Sequence, residues 1–221
     1  DDTGMANADG DTGFLAFALG RELCNLTLSG AVAGTWGSFD TTRTVTAPGI
    51  NSTATGETDL TSYSARLRAA YTMSYDWGYA TPILDLDVVN TRMSGYTETG
   101  AALYNLDIAS ESQTAFVLTP SVEFGRYGRF GNGWSSALSA TLGVSLSSED
   151  QWSTNARLVN APAGAGLFTT NLPIADVVGR IGLGYSLIND ASGFDVKIEY
   201  NGAFGDGYES HGGALRIVKK F

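Results

Sequence analysis

Acid–base and nucleophilic chemistry need a small set of side chains brought together, and this sequence supplies few of them. His211 is the one histidine and Cys24 the one cysteine, so no His-rich metal site, cysteine cluster, Cys-His pair or intrachain disulfide can be built. A Ser-His-Asp triad is not excluded by counting, but no Gly-x-Ser-x-Gly elbow is present to expose a serine. Asp85 and Asp87 lie two residues apart and therefore on one face of a strand, a spacing that paired-acid hydrolysis could use. No histidine lies near them in sequence, and inward acids are common in β-barrels, so a structural role is expected for them. The glycine-rich passage 179–184 lies inside an alternating pattern, where glycine allows close strand approach and curvature and does not cradle phosphate. The expectation is a protein without catalytic residues, metal or cofactor.

Charge narrows the partners. With 13 Lys and Arg against 23 Asp and Glu, the net charge is -10 and the pI about 4.4, and no basic patch is present to neutralise phosphates, so nucleic acid is not expected. No stretch approaches the roughly 18 to 20 consecutive apolar residues of a spanning helix, and the mean hydropathy is -0.02. That average does not argue for solubility, because a membrane strand shows lipid only every second residue. The 221 residues hold 28 Gly but only 5 Pro and no interdomain linker, so residues 1–221 are expected to form a single domain. Within it, residues 1–13 read as an acidic extracellular or flexible segment. They contain no cationic stretch followed by an apolar core, so a secretory leader is expected to be absent or removed.

The elements that must position these residues are strands. Over residues 63–75 one face carries Tyr63, Ala65, Leu67, Ala69, Tyr71, Met73 and Tyr75, and the other Ser64, Arg66, Arg68, Ala70, Thr72 and Ser74. Over residues 194–204, Phe194, Val196, Ile198, Tyr200 and Phe204 oppose Asp195, Lys197, Glu199 and Asn201. The same alternation recurs in residues 26–36, 84–88, 116–124, 138–146 and 177–187. Runs of this length match the roughly 9 to 11 residues of a tilted membrane strand plus extensions, where globular strands average about 5 to 6. Aromatic residues recur at the ends of the runs, among them Trp36, Phe39, Tyr63, Tyr75, Phe116, Phe124, Trp134, Phe194 and Phe204, as interfacial girdles require.

Nine candidate strands follow, near residues 14–20, 23–38, 61–76, 79–93, 113–127, 133–148, 174–189, 193–205 and 210–221. Turns near Arg21 and Glu22, Trp77 and Gly78, and residues 128–132 and 190–192 are short, as on the periplasmic side of such barrels. Residues 40–60, 94–112, 149–173 and 206–209 would lie outside. An odd count cannot close as an ordinary bacterial barrel, so upstream strands are expected to be missing from this chain; dropping the weak 14–20 strand instead leaves a small eight-stranded barrel. The predicted inward charges are Arg66, Arg68, Asp85, Asp87, Glu123, Arg180, Asp195, Lys197 and Glu199, which could pair across a lumen and set its polarity.

The run Gly95, Tyr96, Thr97, Glu98, Thr99, Gly100, Ala101, followed by Leu106, Asp107, Ile108 and a strand reaching Phe124 and Gly125, resembles the signature of the autotransporter translocator domain. Pro82 opening the preceding strand, the segment from Ser64 to Tyr71, residues 182–185 and 202–205, and the ending through Tyr208 to Phe221 are similar to that family too, so the likeness spans residues 14–221. It implies an all-β transmembrane antiparallel up-and-down β-barrel of twelve strands, of which this chain would hold about nine. It also implies a bacterial outer-membrane location and type V secretion, in which the barrel helps to export an N-terminal passenger. The implied partners are the lipid bilayer, the upstream passenger polypeptide and the outer-membrane barrel-assembly machinery, to which the last strand would present Phe221 with Leu215 and Ile217. In the family-like motif Gly95, Tyr96, Glu98 and Gly100, the resemblance suggests that the acid contacts the barrel interior or a neighbouring loop. Two departures stand out: no helix is visible upstream of the first strand, and Lys219 occupies an outward position where an apolar residue is typical. The alternative reading is a small structural or pore-forming barrel without a passenger.

Overall fold

Residues 6–47, 50–162, 164–189 and 191–219 are described by the structure, a computed structural model. Its long strands are β1 (Ala6–Leu23), β2 (Leu26–Ala47), β3 (Ile50–Tyr71), β5 (Gly78–Met93), β8 (Glu111–Arg129), β9 (Trp134–Ser147), β12 (Val177–Asn189), β13 (Phe194–Gly205) and β14 (Tyr208–Lys219). They hydrogen-bond in that order as one antiparallel wall, and β4 (Met73–Tyr75) continues the lower end of β3 against β5. Four short strands, β6 (Tyr96–Thr97), β7 (Leu106–Ile108), β10 (Gln151–Leu158) and β11 (Phe168–Pro173), form a separate sheet in the order β11-β10-β7-β6.

Period two decides which way each side chain faces, and unbroken register carries that choice from strand to strand. Leu67 lies opposite Leu86, Leu86 opposite Leu118 and Leu118 opposite Leu146, a rung of leucines on one face. They are exposed, Leu67 at 64%, and among the described residues no large side chain is fully buried. A soluble sandwich would hide this rung between two sheets; here the apolar face is the outside, as lipid requires. No described helix is long and apolar enough to cross a membrane. Strands do so because they satisfy every backbone group with a neighbour, where an unpaired group in hydrocarbon costs several kcal/mol.

The structure differs from the sequence reading in its boundaries. Strand β1 begins at Ala6, not near Phe14, so residues 6–13 are strand, paired with residues 36–43 of β2. Asp9 and Asp11 are tolerated there because they lie in the half of β1 remote from its short turn. Residues 14–20, the weakest of the expected strands, pair with β2 along their whole length. The first short turn is Cys24 and Asn25, closed by Leu23 opposite Leu26 with Cys24 in the left-handed region at φ 56°. Residues 40–60 are no loop: β2 and β3 pair as far as Ala47 opposite Ile50, in a stretch rich in strand-favouring Thr. Phe39, an odd residue of β2, faces inward opposite Thr58, unlike the girdle aromatics. Phe221 lies outside the described residues.

Candidate functional site

The inner wall is the first candidate surface. All the predicted inward charges lie on it. Arg66 faces Asp87, and Arg68 faces Asp85, in direct register across β3 and β5. Both pairs are bidentate: Arg66 donates from Nε and Nη2 at 2.5 and 3.1 Å, and Arg68 at 2.6 and 2.8 Å. The Asp87 and Asp85 side chains are only 12% and 7% exposed, whereas Arg66 and Arg68 are 52% and 43% exposed. The wall therefore buries its carboxylates and presents guanidinium groups to the interior. Sequence reasoning anticipated pairing across the lumen. Arg66 and Arg68 find their partners on the neighbouring strand instead, because directly opposed residues lie within about 5.5 Å.

Farther along the wall, the Tyr79 hydroxyl donates to Glu123 Oε1 at 2.9 Å and Thr141 donates to Glu123 Oε2 at 3.4 Å. Tyr79 lies over Gly125 so closely that a Cβ there would stand 2.2 Å from the ring, so no other residue fits beneath it. Arg180 donates through Nε to Ser145, which is itself bonded to Thr119 at 2.8 Å. Lys197 and Glu199 pair at 2.8 Å along β13, and Asp195 meets Arg216 at 3.8 Å. Between these groups runs an inward groove of about 320 Å³ lined by Arg68, Asp85, Glu123, Arg180, Glu199 and Asn201. Its lining can hydrogen-bond an extended or helical polypeptide. Its acids are engaged by neighbours, and no group of three or more metal-capable side chains occurs among the described residues.

The second candidate is a latch above the membrane. Glu98, 5% exposed, receives Arg43 Nε at 3.0 Å, Arg43 Nη2 at 2.5 Å and the Leu106 amide at 2.9 Å. Arg43 also donates to the Tyr104 carbonyl at 2.9 Å. The bond to Glu98 holds the Arg43 guanidinium above its ordinary pKa. Thr55 and Thr99 exchange two backbone bonds at 2.8 Å, joining the loop to β3. Glycines permit the fit. A Cβ on Gly100, at φ 99°, would stand 2.5 Å from the Thr53 carbonyl, and one on Gly95 would stand 2.8 Å from the Ser110 nitrogen. Tyr96 lies against Gly56, where a Cβ would stand 2.5 Å from its ring. The motif Gly95, Tyr96, Glu98, Gly100 is thus a joint between the β5–β8 connection and the β2–β3 hairpin.

Sequence reasoning missed Arg43, Gly56 and Tyr79, and had Gly125 only as the end of the family-like run. Residues 94–112 and 149–173, expected outside, carry the four strands of the separate sheet. Asp107 and Arg157 cross-link that sheet at 2.6 Å, and the arginine holds the Asp107 carboxyl below the usual carboxylate range. No arginine three or more strands away in sequence announces its partner; only the inward parity of residue 43 could have flagged it.

The sequence matches the family model described as Autotransporter beta-domain over residues 1–201. The fold is similar to that of the translocator domain of the autotransporter NalP from Neisseria meningitidis, at 18% identity and TM-score 0.69, covering 98% of this chain and 68% of that one. The β domain of the Bordetella autotransporter BrkA aligns at 15% identity and TM-score 0.32, over 96% of this chain and 97% of that one. No curated protein matches the sequence.

Proposed function

Because this chain belongs to the autotransporter β-domain family and is an outer-membrane translocator barrel, we propose that its inner wall carries the connecting segment of the passenger, with Arg66 and Arg68 as the groups that meet it. The observation that supports this is the arrangement of the two ion pairs: acids held against the wall, guanidinium groups left half-exposed toward the interior. Such a surface offers charged groups that can solvate a passing backbone, beside a small-residue strip of Ala16, Ala18, Ala31 and Ala33 on the same face. Lys197, Glu199, Arg180 and Glu123 extend the surface along the groove. The Glu98 latch is read as holding the extracellular mouth in one shape. Further strands between the free edges of β1 and β14 would close the wall, since open edges are not tolerated in hydrocarbon.

Translocator domains of this family are not enzymes themselves, and we read this barrel likewise, since Asp85 and Asp87 each serve an arginine. The family implies a passenger polypeptide and the outer membrane as partners. The barrel-assembly machinery is proposed as a third, recognising β14 through outward Leu215 and Ile217 together with Phe221.

The test is disulfide capture in the complete protein on a Cys24→Ser background. Ser121→Cys places a thiol on the inner face of β8, and Val122→Cys places one on the outer face. Cysteines scanned through the passenger's connecting segment are expected to cross-link to position 121 and not to position 122. Equal capture at both, or capture at neither while the passenger reaches the cell surface, would remove the proposal.

A further inference from the structure

We infer that the lipid-facing wall carries a binding site for one anionic phospholipid of the periplasmic leaflet, with Arg21 on its phosphate and a leucine-sided furrow for an acyl chain. Two successive outward rungs build it. Leu19, Gly30, Leu67 and Leu86 are in register across β1, β2, β3 and β5; one rung nearer the short turns come Arg21, Leu28, Ala69 and Leu84. Gly30 and Ala69 sit on the diagonal of this eight-residue patch, each between leucines, so the surface sinks there into a furrow of about 520 Å³ lined almost wholly by carbon.

The cation gives the furrow a direction and an occupant. Arg21 is exposed, lies two residues from the end of β1 at the first short turn, and has no hydrogen bond or ion pair among the described residues. That places a guanidinium at headgroup depth on the short-turn side, where chains above would run into the furrow. A guanidinium fork matches a phosphate by charge and by geometry. Glu22, its neighbour in sequence, is on the opposite face of the strand and does not compete for it. Arg126 supplies the contrast: it too is outward and exposed near a short turn, on β8, but it does not line the furrow. The site concerns the outer wall and is independent of what occupies the lumen.

The experiment is native mass spectrometry of the complete protein, delipidated in detergent and titrated with dioleoylphosphatidylglycerol. One lipid is expected to bind first. Arg21→Gln is expected to weaken it about tenfold or more, the loss of a charge-assisted hydrogen bond. Gly30→Phe is expected to abolish it by filling the furrow, since a Cβ at Gly30 meets Leu67 at an ordinary 3.6 Å and the wall need not shift. Arg126→Gln is expected to change nothing. Dioleoylphosphatidylcholine is expected to bind about tenfold more weakly, and millimolar inorganic phosphate should not displace the bound lipid. Heat-modifiable gel migration checks folding, with Ala69→Leu as the second filling variant. Equal losses in Arg21→Gln and Arg126→Gln, an unaffected Arg21→Gln, displacement by phosphate alone, or a second protein copy in place of the lipid would each overturn the inference.

Discussion

Replacing Glu98 by Ala should release the β5–β8 connection from the β2–β3 hairpin while leaving the membrane wall intact. The carboxylate accepts two bonds from Arg43 and one from the Leu106 amide, and it is 5% exposed. Removing one member of a buried ion pair costs about 3–5 kcal/mol. Arg43 retains 32% exposure and can turn partly to water, so the cost falls below that range, to about 2–3 kcal/mol. That loss acts on local opening of the joint, where it should raise hydrogen exchange at Thr55, Thr99 and Leu106 by about 30- to 150-fold. Glu98→Gln keeps one acceptor and loses the charge, so about 1 kcal/mol and roughly fivefold are expected. Exchange mass spectrometry in detergent, with peptides covering residues 51–60 and 94–107 and the β8–β9 ladder as the reference, reads all three. Unchanged exchange in Glu98→Ala would refute the joint, and equal loosening of β8–β9 would show that Glu98 holds the barrel as a whole.

Gly125→Val should destabilise the barrel by about 2–4 kcal/mol by driving Tyr79 off Glu123; the unfolding temperature on heat-modifiability gels should fall, and Tyr79→Ala in the same chain should restore most of it. Asp85→Asn leaves Arg68 without its carboxylate, so the lumen gains positive charge, and planar-bilayer recordings of the complete barrel should shift toward anion selectivity. Asp107 has a depressed carboxyl in the folded sheet because Arg157 bonds it. Its contribution is therefore fully present above the unfolded value of about 4 and is lost as pH falls through the lower folded value; carboxyl NMR should find it titrating below that ordinary value, and Arg157→Gln should return it there.

The nine long strands were legible because lipid on one side and water on the other impose strict alternation, and Tyr63 to Tyr75 obeys it at almost every position. Arg66, Arg68, Asp85 and Asp87 were legible as inward for the same reason. Their pairing was misjudged because parity fixes a face and says nothing about register. Strand ends were less legible: Thr-rich ladders such as β2 and β3 leave the membrane without changing their pattern, so nothing local marks where hydrocarbon stops. The latch was half legible. Glu98 stood out in its motif, but Arg43 lies 55 residues away, and only the long-range pairing of β2 with β3 brings it near.

The 22 residues of β2 and of β3 measure roughly 70 Å along the strand, or about 55 Å in height at a usual tilt. A bilayer interior of about 30 Å swallows little more than half of that. This hairpin therefore rises as a mast from the cell surface, its upper faces clothed in hydroxyls such as Thr41, Thr44 and Ser52 with Asp40 and Glu57 among them. An antibody or a phage arriving from outside would meet that hydroxyl-rich ribbon braced at mid-height by Glu98, as a stiff epitope.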